Sequence, residues 1–519
     1  MKRAPVVLAL CAGSAWLLLL ASFALRWRTQ HDAPLMFYIA WMMDARGAVP
    51  YRDIMDMNLP GTYVANLVIG RLTGYSDPGI RIADLSLLAA ILTLTFFAMS
   101  RFGRLVAWAA AVLFGLFYIG TGPWLSLQRE FFILLPLSLA LLLVSRYDRR
   151  KPGMTAFAIG FLMACAATVK PHVLVGAPLF VGFLWLEGTP DERRARTRHL
   201  ASIIGGAAAG AAIPTALLVL YLVSHDAWSP MVELFRGYAS VYASVNGRHE
   251  TMPGADRGPY LLHGLLQFGN QRTWLLFGAA GAVLALTARP GPNRRFVLLL
   301  GALLAAYTGY VVVQGRFFDY HWLIAHFFVL LIASLCLIER PDLWARSALL
   351  GLAPAAALAL FAWRDLPVHA DLGAQLRGET LPAPKRGRPD KIATFLAARL
   401  RPGDLVQPLD ITGGAVHGML LARAPLATPF LYDSFFYIRV SDPFVLELRR
   451  RFLRQMAERV PRFVVDVYGP DKPWVRGWDT SREFPELRTL LVRDYVPVGE
   501  ALGTVIYERR SSSGMSASP

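Results

Sequence analysis

For most of this chain the apolar residues neither alternate nor recur on one helical face. They run in blocks of about twenty, broken by short polar connectors. A block of that length crosses the hydrocarbon layer as a helix, because in lipid every backbone N–H and C=O must be bonded within its own segment. About eleven such runs are present, at 5–25, 82–100, 105–121, 131–146, 154–169, 173–187, 200–223, 271–288, 296–313, 321–338 and 347–363. The first, "MKRAPVVLALCAGSAWLLLLASFAL", pairs a basic tip with enough apolar length to span, so it is expected to remain as a helix rather than be cleaved. Connectors near 102, 148, 193, 292 and 342 are basic, as in "RFGR", "RYDRRK", "DERRARTR" and "GPNRR", and the positive-inside rule places them in the cytoplasm with the N-terminus. The connectors 26–81, 120–130, 170–172, 224–270 and 314–320 then face the opposite side. An odd number of spans puts the remaining C-terminal part there too.

Past residue 363 the pattern changes. Residues 364–388 are rich in Pro, Gly and charge and read as a linker. "DKIATFLAARL" has apolar residues at helical spacing with Asp390 as the expected N-cap. "DLVQPLD", "PRFVVDVYG" and "GTVIYERR" read as strands, alternating with the helices "PFVLELRRRFLRQMAERV" and "FPELRTLLV". The expected architecture is an α-helical polytopic membrane protein: a spanning domain over 1–363, a large first outer loop at 26–81, a small extracytoplasmic α/β domain over 389–510, and a disordered tail at 511–519.

Composition agrees. Of 519 residues 55% are hydrophobic and only 17% charged, well under the quarter usual in soluble domains. The net charge of +17 sits in the connectors between apolar runs, so it reports topology and no nucleic-acid partner is expected. Cys11, Cys165 and Cys336 each fall inside an apolar run, with neither metal-ligand nor disulfide spacing. Cys11 follows Leu10, which is a poor lipoprotein signal.

The polar clusters of chemical interest all fall on the expected outer side: "QHDAP", "VPYRDIMDMNLPG", "WLSLQREFF", "TVKPH" and "QGRFFDYHW". Ionisable groups at the membrane boundary are expensive unless paired or functional. The carboxylates Asp32, Asp53, Asp56 and Glu130 are suited to general-base work or to a divalent metal, for which Asp32, Asp53 and Glu130 are the candidate ligands. Lys170 and Arg316 are suited to holding a phosphate. Plainer readings stand beside these. Asp32 also reads as a helix N-cap, Asp53 and Asp56 as partners of Arg52 and Arg46 in an exposed turn, and Arg129 with Glu130 as a local pair at a helix mouth. A single interfacial lysine such as Lys170 usually snorkels. His172, His321 and His326 each read first as buried hydrogen-bonded histidines, and "DITGG" as a turn. The argument for a site rests on co-location of the clusters.

Residues 31–82 resemble the first outer loop of GT-C glycosyltransferases, and more narrowly the family 39 and RgtA-like bacterial members. Asp32, Tyr38, Gly47, Pro50, Tyr51, Asp53 and Pro60 occupy the positions of that loop signature. Glu130 in "QRE" matches the second-loop acidic residue, Lys170 the lysine that closes a short span, and "QGRFFDYH" the basic-aromatic motif. The resemblance implies transfer of a sugar, with inversion, from a polyprenyl-phosphate donor to an envelope glycan or lipid acceptor on the extracytoplasmic face of a bacterial inner membrane. By position it implies Asp32 as base and Lys170 and Arg316 as phosphate ligands. It also implies substrate contacts from Tyr38, Tyr51, Asp53, Asp56, Asn58, Glu130, Tyr320 and His321. The chain departs from the pattern at Ala33, where many members have a second acidic residue, and at Asn58, where lipid-A-directed members carry a lysine. A transporter or flippase of lipid-linked sugars, and a non-catalytic scaffold of polysaccharide assembly, are the alternative readings.

Overall fold

The structure is a computed structural model that describes residues 4–188, 193–246, 254–287, 293–338, 368–468 and 479–510. Each expected apolar run between residues 5 and 338 lies on a helix, while the run 347–363 and the tail 511–519 lie outside the described residues. Seven helical segments among the described residues are long and apolar enough to cross a membrane, and the chain is a multi-pass membrane protein. One of these, Asp319–Leu337, is wholly buried and forms the centre of the bundle, whereas Ala4–Ala24 and Arg194–Ser224 leave most of their surface outward.

Helix α1 (Ala4–Ala24) leads into the first loop, where α2 (Ala33–Arg46) and α3 (Pro60–Thr73) lie before the long α4 (Asp77–Met99). Pro34 and Pro60 sit in the first turns of α2 and α3, where a missing N–H is harmless, and Gly47 and Gly74 close the two helices in left-handed conformation. Helices α5 (Arg104–Gly120), α6 (Arg129–Ser145), α7 (Pro152–Val169), α8 (Ala177–Gly188) and α9 (Arg193–Ser224) follow. The most extensive helix pair is α7 with α9. A Cβ on Gly160 would lie 2.7 Å from the carbonyl carbon of Ala207, and glycines at this crossing let the two backbones touch.

Residues of or beside the basic connectors near 102, 148 and 292 meet at one end of the bundle, while the connector near 342 lies outside the described residues. There Arg101 bonds Asn293 at 3.0 Å, and Arg149 and Arg295 approach Glu187 at 3.2 and 3.8 Å. The acidic and aromatic clusters of the first loop gather elsewhere, beside the C-terminal part.

That part contains a four-stranded sheet in the order β1-β2-β4-β3, built from Val406–Leu409, Phe463–Val467, Tyr495–Ala501 and Thr504–Arg509. Strands β1 and β2 run parallel, and β4 is antiparallel to both β2 and β3. Helices Arg388–Ala397, Ala415–Ala422, Pro443–Arg459 and Pro485–Asp494 accompany it. Two expectations change. The segment read as a linker contains a helix, Val368–Leu376, because its Val368 and Leu372 find apolar partners in the fold. Asp390 is not an N-cap: Gly387 holds that place, and Asp390 instead binds Arg28 at 2.6 Å. Strand β3 was not visible as a strand, since Pro497 and Gly499 break its pattern at a register shift.

The sheet domain docks on the first loop through main-chain and buried polar contacts. Tyr38, fully buried, donates to the carbonyl of Ala424 at 2.7 Å, and the Met55 N–H donates to Pro429 O at 2.7 Å. Arg423 donates to Gly74 O at 2.6 Å. Asp77 accepts from Arg28 at 2.8 Å and from the Thr29 hydroxyl at 2.6 Å, with His417 of the sheet domain 3.7 Å away.

Helix α3 meets the end of α7 at Gly61, where an added Cβ would lie 2.7 Å from the backbone of Thr168. Gly61→Val is expected to push α3 from α7 and to destabilise the detergent-solubilised protein by about 1–3 kcal/mol, measurable by thermal unfolding, with Gly47→Ala as a comparison whose strain involves no clash.

Candidate active site

The first helical turn of α6 supplies two neighbouring charges that point to different partners. Arg129 donates one N–H to Asp32 Oδ2 at 3.1 Å and, through Nη1, another to Asn58 Oδ1. Glu130, with no exposed surface, accepts from the Lys170 ammonium through Oε1, and His321 Nε2 lies 3.9 Å from the same oxygen. The segment before them is fixed by a second buried cluster. Asp84 accepts from Arg81 at 2.7 Å, from Tyr118 at 2.6 Å and from Ser126 at 2.6 Å, and the Tyr118 hydroxyl accepts the Leu127 N–H at 3.1 Å. Leu127 takes a left-handed φ of 53° to make this turn.

Asp32 occupies the N-cap position of α2 yet makes no cap bond, so both its oxygens face other partners. His31 Nδ1 lies 3.2 Å from Oδ1 and Arg129 holds Oδ2. Burial alone would raise the Asp32 pKa, but His31, Arg129 and Lys170 outweigh it and bring the group to about 2. Lys170 lies at the boundary between two spans. Burial pushes its pKa down to about 8, against the pull of Glu130. Tyr320 covers the ammonium, ring centroid to Nζ 5.5 Å, a cation–π contact that adds to the pair.

Asp56 anchors the other side of the loop. It accepts from both the Asn58 amide, at 2.9 and 3.1 Å, and the Tyr63 hydroxyl at 2.7 Å, with Tyr432 of the sheet domain at 3.3 Å. Its own neighbour's backbone, Met57 N, donates at 2.8 Å. Tyr51, left-handed at φ 71°, donates to the Asn58 carbonyl. Asn58 is therefore held at both ends: its NH₂ on Asp56 and its oxygen on Arg129.

The structure thus brings Asp32, Asp56, Asn58, Glu130, Lys170, Tyr320 and His321 into linked contact. Arg316 lies on the connector leading to Asp319–Leu337, on the same side and partly exposed. Three residues fall elsewhere or act differently. Asp53 stands apart, bonding Val49 N at 2.8 Å and Arg52 at 2.8 Å in the exposed turn, as the plainer reading held. Tyr38 is spent on the docking bond to Ala424, and Tyr51 braces Asn58 from a buried position. His326 is a buried core histidine 3.0 Å from Phe268 O, and His172 stacks on Tyr310. The candidate metal ligands Asp32, Asp53 and Glu130 do not assemble, and among the described residues no three metal-ligating side chains come together. Asp32 and Glu130 are each already neutralised by a cation, so this donor set does not fit a divalent ion.

Sequence reasoning missed His31, Tyr63, Tyr432 and the Asp84 cluster, and it gave Arg129 only a local pairing. The signal for His31 was present in "QHDAP", one residue before the aspartate.

No family model and no curated relative matches the chain. Solved structures do. ArnT from Cupriavidus metallidurans bound to undecaprenyl phosphate superposes with a TM-score of 0.55 at 14% identity, over 99% of both chains. The same protein in its apo state superposes at 0.51 and 14% identity, over 96% of this chain and 97% of that one. The chain has the ArnT fold. The alignment runs over nearly the full length of both chains.

Two outcomes follow from the electrostatics. Lys170→Met leaves the buried Glu130 carboxylate uncompensated and is expected to cost about 3–5 kcal/mol, most of it recovered by adding Glu130→Gln, as a double-mutant cycle of thermal unfolding reads directly. Asp32 is more acidic folded than its ordinary value of 3.8, so its contribution is full above that value and is lost as pH falls through about 2. Acid unfolding of Asp32→Asn is expected to be shallower than wild type over that window.

Proposed function

We propose that this protein is an inverting glycosyltransferase that moves a sugar from a polyprenyl-phosphate donor to a hydroxyl of an envelope glycan or lipid, on the extracytoplasmic face of a bacterial inner membrane. The observation that carries the reading is the ionic cluster itself. A carboxylate held ionised and two cations lie within one linked network at one end of a lipid-embedded bundle, on the fold of ArnT, which binds undecaprenyl phosphate.

Transfer with inversion is a single displacement. The acceptor oxygen gives up its proton and attacks the anomeric carbon, and the bond to the donor phosphate breaks with its electron pair leaving on the phosphate oxygen. Two needs follow: a group on which deprotonation depends, and cations where the phosphate gains charge. Asp32 meets the first. Lys170 and Arg316 meet the second, with Arg129 as a further cation beside Asp32. Lys170 is suited to the task because its partner is a carboxylate on the same protein. An arriving phosphate shares the ammonium with Glu130, so the buried carboxylate keeps its cation. Asn58 keeps Arg129 in place as a neutral brace and adds no charge of its own.

A transporter of lipid-linked sugars is less favoured, since such proteins gather ionisable groups near the bilayer midplane in broken helices. Here Arg129, Glu130 and Lys170 lie at helix termini, at the start of α6 and the end of α7.

The test uses purified protein with a panel of undecaprenyl-phosphate sugars and an envelope lipid extract as acceptor, reading acceptor-dependent release of undecaprenyl phosphate. Asp32→Asn is expected to lower the rate by about 100-fold or more with unchanged folding, and Lys170→Ala and Arg316→Ala to act chiefly on donor affinity. Near wild-type transfer by Asp32→Asn removes its role, and donor dependence unchanged in both cation variants removes theirs.

A further inference from the structure

His31 is held in a way the docking of the loop does not require. Its φ of 57° lies in the left-handed region, which residues with a Cβ seldom adopt and which recurs at functional sites. The imidazole is fixed between Trp124, with ring centroids 4.2 Å apart, and Tyr320 at 5.5 Å. Its Nδ1 faces Asp32 Oδ1 at 3.2 Å and the Gln128 amide at 3.3 Å. In the tautomer that donates Nδ1–H to the Asp32 carboxylate, the lone pair falls on Nε2, and the Gln128 NH₂ then makes no hydrogen bond to Nδ1. Nε2 has no hydrogen-bond partner among the described residues. The ring also lines a cavity of about 200 Å³ between the first loop and the sheet domain, together with Trp124, Lys385, Thr412 and His417. At the start of the helix that begins at Ala415, Asp410 accepts the Gly413 and Ala415 N–H groups at 2.8 and 2.9 Å.

Asp32, in contrast, has both oxygens engaged and is stabilised as an anion by the groups around it, so by itself it is a weak acceptor of a hydroxyl proton. Resting on the transfer reading above, we propose that Nε2 of His31 is the atom that takes the proton from the acceptor hydroxyl. Asp32 stands behind it, fixing the tautomer and balancing the imidazolium. The hydroxyl enters from the cavity that His31 lines. The O–H bond breaks as its oxygen bonds the anomeric carbon; the proton passes to Nε2 and the sugar–phosphate electron pair leaves with the polyprenyl phosphate. The imidazolium then returns its proton to water. Loss of Asp32 and loss of His31 both stop transfer, but only the second leaves a vacancy that an added base can fill.

Chemical rescue separates these roles. His31→Gly removes the ring and relieves the left-handed strain; His31→Asn keeps that conformation, which asparagine tolerates, and fills the space with a group that takes no proton. With undecaprenyl-phosphate sugars and envelope lipid extract, both variants are expected to fall about 100-fold or more in release while still binding undecaprenyl phosphate. Added imidazole restores release in His31→Gly at least about tenfold, and pyrazole, the same size of ring but a far weaker base, does not. Activity of either variant within about threefold of wild type, or equal rescue by the two rings, overturns the proposal while the transfer reading stands. If wild type releases nothing from any donor, the transfer reading fails and the proposal with it.

Discussion

Arg129 and Glu130 are adjacent in the chain, open the same helix, and carry opposite charges to opposite sides of the site. Arg129 ties down the first loop through Asp32 and Asn58, while Glu130 reaches across to Lys170 at the end of α7. Because the two side chains share one helical turn, the loop and the span ends are positioned relative to each other by a single rigid element. That element is in turn fixed by the buried Asp84, which accepts from Ser126 two residues before Gln128 and from Tyr118 on α5. Without the pair, the loop carboxylates and the boundary lysine would have no common frame.

The arrangement balances charge locally instead of relying on water. Four anions near the membrane boundary meet a cation or several donors: Asp32 with Arg129, Glu130 with Lys170, Asp77 with Arg28, and Asp56 with two tyrosines and an amide. Buried ionic groups bring little net stability over apolar ones, but breaking one partner is costly. Such a network therefore favours one geometry strongly while leaving its cations able to be shared with a charged ligand.

The long apolar runs and the basic connectors were legible in the sequence because both follow from one-dimensional rules, hydrocarbon thickness and loop charge. Asp32, Glu130 and Lys170 were legible as a set because they lie on connectors of the same expected side. The roles of Tyr38, Asp53 and Asp77 were not. Tyr38 finds its partner at Ala424 and Asp77 lies near His417, and pairing across hundreds of residues leaves no local mark. Asp53 looked equivalent to Asp56, three residues on; the turn sends one outward to Arg52 and the other inward beneath Tyr63. Asn58 marked a departure from the family pattern. The structure gives it a brace in Asp56 and a partner in Arg129, neither of which any spacing rule would have supplied.

The contacts of Asp56 and Met55 bear on how such proteins diversify. Tyr432 and the Pro429 carbonyl belong to the sheet domain, yet they complete the bonding of the loop that carries Asn58. The two parts are thus not interchangeable modules. A chimaera that joined these spans to the sheet domain of a relative would need residues 55–58 and 424–432 to travel together. A change on one side of that seam is therefore felt on the other, at Tyr432 and Pro429 as at Met55 and Asp56.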